Sequence, residues 1–422
     1  MPGHKGAAFL GCESLDITEV SGADALYEAS GIIAESEQNA TALFGSRRTC
    51  YSTEGSSQCI RAMLYLALTH HNTNTRPVVV AARNVHKSFV YAAAMLDFDV
   101  VWLWPEQQHS LCGCPVSPEQ LEQVLSGLEP SPAAVYLTSP DYLGGMANIP
   151  ALAEVVHRHN SILLVDNAHG AYLKFLQPSL HPLDLGADLC CDSAHKTLPV
   201  LTGGAYLHIS KRLPEGYAAH AKTALALFGS TSPSYLTMAS LDLCNQYWAE
   251  EGIQRLESCV NEIQQVKQHL KDANWLVEDS DPLRITICAP EGESGKSLAE
   301  RLSAEHIQCE YADDTHLVLM VTAENTPSDL EKLLSVLGTN SAPQKELPTL
   351  PTARGEQAVS IRQALFANHE LVPTENALGR ICGTPTVSCP PAIPIAVSGE
   401  RITKEMLQLF LHYDVHEIDV LK

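Results

Sequence analysis

The 422-residue sequence is short of positive charge, of aromatic residues and of long apolar runs. Lys and Arg number 27 against 49 Asp and Glu, a formal net charge of −22. A surface of that sign repels phosphodiester backbones and anionic headgroups, so neither nucleic acid nor a membrane is expected as a partner. No stretch approaches the roughly 20 apolar residues needed to cross a bilayer. The first residues, MPGHKGAAFLGCESLD, lack the sustained apolar segment of a secretory leader. The expected location is the cytoplasm, where thiols stay reduced. Internal repeats and low-complexity tracts are also missing. Thirteen cysteines are present. However, Cys112-Gly113-Cys114 and Cys190-Cys191 have none of the usual zinc spacings, so the cysteines read as small core residues and no metal is expected. What remains is ordinary globular material, 45% hydrophobic with a mean hydropathy of −0.03 and long enough for two or three domains.

One stretch organises the rest, Ile162 to Leu207. An apolar strand ends in Asp166, a connecting segment follows, and a second apolar run (Ala187 to Cys191) leads into Asp192-Ser193-Ala194-His195-Lys196-Thr197. A lone lysine is ordinarily a solvated surface residue. A lysine just past a buried strand, with an aspartate at the end of the preceding strand, is the layout that pyridoxal phosphate (PLP) requires. The amine forms a Schiff base with the cofactor aldehyde, and the carboxylate keeps the pyridine nitrogen protonated so that the ring can accept electrons.

Upstream, Gly55-Ser56-Ser57 opens an apolar helix (CIRAMLYLALTHH). Free N–H groups and hydroxyls at such a start suit a phosphate, although a plain serine cap looks the same in sequence. Pro77 to Ala82 is a short buried strand leading to His86, which is placed to face a ligand at the sheet edge. Strands follow at Val100 to Leu103, Ala133 to Thr138 and Ile162 to Val165. Helices lie between them at Ser117 to Leu128 and Ile149 to Asn160, with a loop at 139–145. Strand and helix alternating at this spacing mean an α/β fold with a parallel sheet covered on both faces. The flagged loops (55–58, 86, 139–142, 166–169, 193–196) then gather along one edge. Residues 1–30 read as an arm and 31–249 as the PLP-binding large domain. A smaller α/β domain spans 250–340. A Pro-rich linker follows, then a C-terminal domain at 341–422 with a helix at Val359 to Phe366, a Pro-rich loop and a helical tail.

These residues resemble the bacterial Orn/Lys/Arg decarboxylases, fold-type-I PLP enzymes. The matching stretches include PGHKG (2–6), DITE (16–19), FGS (44–46), RNVHKS (83–88), SPDYLG (139–144), DNAHG (166–170), SAHKTLPVLTGGA (193–205), TSPSYLTMASLD (231–242) and PPAIP…SGE (390–400). The match is to the short form, without the receiver-like domain of the long forms. The resemblance implies a large domain with a mainly parallel seven-stranded sheet and a homodimer or higher homo-oligomer. It implies Lys196, His86 and Asp166 as catalytic residues: Lys196 bonded to PLP, Asp166 at the ring nitrogen and His86 against the ring. Gly55, Ser56, Ser57, Ser193 and His195 would line the phosphate end, with His169 near the phenolic oxygen. Thr231 and Ser232 would reach the partner's site. The sequence departs from the family at Asn167 (usually an acid), Asp141 (commonly Thr), Tyr142-Leu143 (an aromatic pair reduced), Thr202-Gly203-Gly204 (for Thr-Gln) and Ala392 (for Gly).

The implied reaction is decarboxylation of a basic amino acid, arginine first, then lysine or ornithine. Its side-chain cation needs a carboxylate, for which Glu13, Asp16, Glu19, Asp141 and Glu375 are candidates. The alternatives are another PLP reaction on this scaffold, such as transamination or elimination, and a non-catalytic homologue that binds PLP or a polyamine. No arginine clamp for a transaminase is identifiable in the sequence.

Overall fold

The computed structural model describes residues 1–106, 109–385 and 394–422. Pro390 to Ile393, and with them the Ala392 departure, lie outside the described residues.

Seven strands form the large sheet: β1 (Arg48–Ser52), β2 (Val78–Ala82), β3 (Asp99–Leu103), β4 (Ala134–Thr138), β5 (Leu163–Asp166), β6 (Leu189–Asp192) and β7 (Ala205–Ile209). Their spatial order is β1-β7-β6-β5-β4-β2-β3. The pairs from β3 through β6 are parallel, while β7 runs antiparallel to both β6 and β1. The mainly parallel seven-stranded sheet is therefore present. The connecting helices start where the sequence marks them. Ser117 accepts the Gln120 N–H ahead of Pro118, and the Asn148 side chain accepts the Ala151 N–H ahead of Ile149–Arg158.

Strand alternation divides the sheet's side chains between two cores. Val79, Ala81, Tyr136, Leu164 and Cys191 pack under helices Gly55–Thr69, Lys87–Leu96 and Glu215–Ala226. Val80, Ala82, Val135, Leu137, Val165 and Cys190 pack against Pro118–Ser126, Ile149–Arg158 and the C-terminal segment. Burial of each Val or Leu contributes about 1.5–3 kcal/mol. These two layers hold the strand ends that carry polar residues.

Residues beyond 250 add a second sheet in the order β10-β11-β9-β8, made of β8 (Leu276–Val277), β9 (Arg284–Cys288), β10 (Tyr311–Ala312) and β11 (His316–Met320). The chain's tail is not purely helical as expected. Helix Lys404–His412 stops near Asp414, whose φ is +56°, and the last residues form β13 (Glu417–Leu421) beside β12 (His369–Pro373). The alternation in Glu-Ile-Asp-Val-Leu, with Ile418 and Val420 buried, is the strand signal. β1 is a second difference, since no strand is expected ahead of Gly55 from the sequence. Thr49 to Ser52 are buried as an edge strand by pairing with β7, a contact over 150 positions away. No helix among the described residues is long and apolar enough to cross a membrane.

One buried ion pair ties the C-terminal segment to the large sheet. Arg83, fully buried, makes two 2.7 Å hydrogen bonds to the Glu400 carboxylate, and its guanidinium lies 4.8 and 4.6 Å from the Trp102 and Trp104 ring centres. Removing one partner strands a buried charge. Glu400→Leu is expected to cost about 3–5 kcal/mol in chemical denaturation, and Arg83→Met in the same chain should recover most of that loss. An unchanged midpoint for Glu400→Leu would contradict this role.

Candidate active site

The carboxyl ends of β2, β4, β5 and β6, with the start of helix Gly55–Thr69, surround a cleft of about 650 Å³, within the usual range for small-molecule sites. Register pairing sets Thr138 beside Asp166 and Asp166 beside Cys191. Lys196 follows β6 in the short helix Ala194–Thr197 and lines the same cleft as Asp166.

The Lys196 amine lies 2.9 Å from Nε2 of His169. Burial, reinforced by the Lys196 charge, holds the His169 imidazole well below its ordinary pKa, so the ring is neutral near pH 7. Its Nδ1 is buried with no hydrogen-bond partner. His86 is open to the cleft but surrounded by chain on its other sides. That desolvation lowers its pKa against the pull of Asp166, and Lys196 lowers it further. Nδ1 of His86 also accepts the Ser88 N–H and so caps helix Lys87–Leu96. The ring that lines the cleft is thus fixed by the helix start.

Asp166 is 2% exposed. It accepts from Tyr136 Oη (2.9 Å), the Ala168 N–H (3.2 Å) and Cys191 Sγ (3.6 Å). A carboxylate has about four acceptor positions, so room remains for one further donor, as a protonated ring nitrogen would require. At the opposite end, Ser193 Oγ donates to Ser56 Oγ at 2.8 Å. At the start of helix Gly55–Thr69 the Gly55 N–H donates to the Gly203 carbonyl, and no side chain caps the N–H groups that follow, which suits an anion there. Gly55 has φ +69°, a conformation suited to glycine. The residues present thus fit PLP: an amine and a buried acceptor lining one cleft, and a helix start with hydroxyls and no side-chain cap.

Gly55, Ser56, Ser57, His86, Asp166, His169, Ser193, His195 and Lys196 all line this cleft. His195 is partly committed, its Nδ1 lying 3.0 Å from the Gly204 carbonyl. Thr231 and Ser232 are exposed and do not line it. Of the five candidate acids, Asp141 alone does. Glu13 accepts the Phe9, Leu10 and Gly11 N–H groups, Asp16 meets His4, Glu19 accepts from Thr18, and Glu375 is exposed.

Two departures have local causes. A side chain at Gly203, whose φ is +92°, would meet the Thr53 carbonyl at 2.6 Å. Asn167 donates from Nδ2 to the buried Asp192 carboxylate at 2.8 Å, where an acid would repel. Residues missed in the sequence include Tyr136, Thr138 and Asn84. Tyr136 and Thr138 could have been found by aligning the strand ends, since Tyr136 and Asp166 lie on neighbouring strands.

Similarity to known proteins points the same way. A family model described as "Orn/Lys/Arg decarboxylase, major domain" matches residues 7–291. The chain is 30% identical over 418 residues to the uncharacterized protein YaaO of Bacillus subtilis, spanning 94% of this chain and 84% of that one. It is 27% identical over 446 residues to an arginine decarboxylase of Bacillus anthracis, spanning 97% and 88%. In fold it matches the lysine decarboxylase of Francisella novicida with TM-score 0.83 at 18% identity, covering 100% of this chain and 78% of that one. A more distant fold neighbour is an SPT structure with PLP, at TM-score 0.54 and 16% identity over 72% of this chain and 74% of that one.

Asp141 generates a pH prediction. Burial raises its carboxyl from an ordinary 3.8 to about 6, against the pull of backbone N–H groups and Arg284. The folded chain then binds that proton more tightly than the unfolded chain. The resulting stability is full below pH 3.8 and is lost as pH rises through about 6. Asp141→Asn keeps the acceptor for the Leu143 and Gly145 N–H groups and removes the titration. Between about pH 6 and about pH 4 the native chain should gain thermal stability relative to Asp141→Asn. Parallel Tm curves for the two would contradict the raised value.

Proposed function

The chain belongs to the Orn/Lys/Arg decarboxylase family, and from that premise we propose that it converts arginine to the corresponding amine and CO2 in this cleft. The family's activity is PLP-dependent decarboxylation of basic amino acids. Arginine is preferred over lysine and ornithine because curated relatives matching nearly the whole chain are arginine decarboxylases. The single observation that carries the reading is the shared cleft of Lys196 and Asp166.

Lys196 would hold PLP covalently, Asp166 would accept from its ring nitrogen, and the face of His86 would rest on the ring. Ser56, Ser57 and Ser193 would hold its phosphate. Bound there, PLP supplies an electron-poor ring that takes up the electron pair left behind by CO2. The protein's part is orientation and proton placement. Asp166, buried and receiving three donors, remains an acceptor whose strength is set before substrate arrives. Lys196 Nζ, 2.9 Å from His169 Nε2, would deliver a proton to the substrate's Cα, with His169 as its neighbour in the exchange. No arginine lines the cleft among the described residues. A substrate α-carboxylate therefore finds no guanidinium to stabilise it, which favours loss of that group over transamination. Asp141 is the acid offered to the substrate's cationic end.

A second copy of the chain completes this reading. Phe9, Leu10 and Leu15 are 82%, 89% and 67% exposed on the arm, an apolar surface of the kind that partners cover. Thr231, outside its own cleft, would then serve the partner's. A cytoplasmic location fits cysteines such as Cys50, Cys59, Cys190 and Cys191, which are buried without disulfides.

Purified protein is expected to show a visible-edge absorbance that Lys196→Ala abolishes, and to release CO2 fastest from arginine in a screen with lysine and ornithine. Asp166→Asn should lower kcat by about 10²–10³-fold, as for loss of one preorganised electrostatic group. A product that retains its α-carboxylate would overturn the proposal.

A further inference from the structure

Away from the cleft, three adjacent strands of the second sheet present a thiol, an imidazole and a carboxylate to one another. Cys288, the last residue of β9, is paired across the sheet with His316 of β11 on one side and Leu276 of β8 on the other. Glu278 stands two residues beyond Leu276, so strand alternation returns its side chain to the face of Cys288. Glu278 Oε1 lies 3.3 Å from His316 Nε2 and 3.5 Å from Cys288 Sγ, and the three donor atoms all fall within 4.8 Å of one another.

Those spacings match a metal's dimensions. Zinc bonds of about 2.0–2.3 Å at tetrahedral angles place neighbouring ligand atoms about 3.4–3.6 Å apart. An ion could enter with little movement of the backbone. The imidazole is also prepared from behind. Its Nδ1 lies 2.8 Å from Thr315 Oγ1, which in turn donates to Asp313 Oδ1 at 2.8 Å. That hydroxyl holds the Nδ1–H, while Nε2–H faces the Glu278 carboxylate, so an ion entering between Glu278 and Cys288 would take the place of the Nε2 proton. Such support for the remote nitrogen is characteristic of metal-binding histidines. His316 and Cys288 are 1% and 2% exposed, whereas the Glu278 side chain is 31% exposed. The buried pair gives a dry floor, and the glutamate edge gives an entry path and a place for water.

We propose that Glu278, Cys288 and His316 form a binding site for a zinc-class divalent cation, with water as the fourth ligand. Cys288 binds as thiolate and His316 through Nε2, and the proton of each passes to solvent. The other trio of comparable spacing, His181, Cys190 and Asp192, is wholly buried, and its carboxylate already accepts from His181, His208 and Asn167. The proposed site lies on the sheet face that supports the cleft loop, where Thr286 Oγ1 donates to the Leu143 carbonyl at 2.7 Å and Arg284 donates to the Asp141 carbonyl. An ion there would clamp three strands directly behind that loop. The expectation of no metal rested on spacing along the chain. These ligands are assembled by cross-strand register, which such spacings do not reveal.

The test uses the full chain, purified, stripped with a chelator and dialysed against Zn²⁺ or Co²⁺. The expected result is about one tightly held ion per chain by elemental analysis, and with Co²⁺ a near-ultraviolet thiolate-to-metal band. Cys288→Ser should remove that band and His316→Gln should remove retention, with circular dichroism unchanged. Thr315→Val, which takes away only the imidazole's support, should weaken zinc binding by about 10–100-fold and remains informative if either ligand variant fails to fold. Absence of retained ion in the native chain, a cobalt–thiolate band that persists in Cys288→Ser, or unchanged affinity in Thr315→Val would overturn the assignment.

Discussion

Thr138, Asp166 and Cys191 stand side by side because β4, β5 and β6 are paired in parallel. The cleft depends on that alignment more than on any single contact. A slip of one residue along β5 would exchange Asp166 for Val165, turning a carboxylate into the apolar layer under the helices and a valine toward the cofactor site. The two cores oppose the slip, since each strand places alternate residues in each core and every misplaced side chain would lose its burial. The apolar packing thus sets the chemistry indirectly. It holds one acid at a fixed place on the sheet edge, and Lys196 reaches the same space from the next strand.

Behind the cleft, one buried carboxylate is fully matched, although Asn167 Oδ1 and His169 Nδ1 are buried without partners. Asp192, fully buried at the end of β6, accepts from Asn167, His181 and His208 at 2.8–3.0 Å. Burial alone would raise its carboxyl, yet the two imidazoles hold it below its ordinary value. Phe44 packs on both rings, with centroids 5.8 and 4.4 Å away. This network lies just ahead of the segment that carries Lys196. Buried polar groups are costly when unpaired and rigid when paired, so Asp192 fixes the base of the Lys196 turn. Asn167 then follows from its surroundings: beside a carboxylate already served by two histidines, an amide donor is compatible and a second acid is not.

Much of this was legible in the sequence because the carrying signals are local. Runs such as VVVAA and ILLVD announce buried parallel strands, Ser117-Pro118 and Asn148 announce helix starts, and the interval from Asp166 to Lys196 spans one crossover. What stayed hidden is created by pairing between distant segments. β1 became a strand only by meeting β7, and Tyr136 became a partner of Asp166 only through the register of β4 on β5. The Glu278, Cys288 and His316 cluster needs three strands. Choosing among five candidate acids likewise required three dimensions, because Glu13 reads as an available carboxylate until its acceptors are seen to be spent on N–H groups of its own loop. Asp141 carried a local hint, as a departure from the family pattern, but its burial did not show.

The charges around the cleft complete the account of which substrates it suits. Its formal cations among the described residues are Lys87 and Lys196, and its histidines 86 and 169 are held toward neutrality by burial. A phosphate at the start of helix Gly55–Thr69 would be met by N–H groups and hydroxyls rather than guanidinium, and with Lys196 joined to the cofactor Lys87 would be the one formal cation left in the lining among the described residues. On the proposed reading, an amino acid with an acidic side chain would enter at a disadvantage, its side chain facing Asp141. On the proposed reading, a basic amino acid would bring a cation to that acid, and ionisation of Asp141, opposed by burial, would become favourable once the cation is there. Substrate binding would then lower the Asp141 pKa. On that reading Asp141 would meet the cationic end while no guanidinium among the described residues meets the α-carboxylate, the group the reaction would remove.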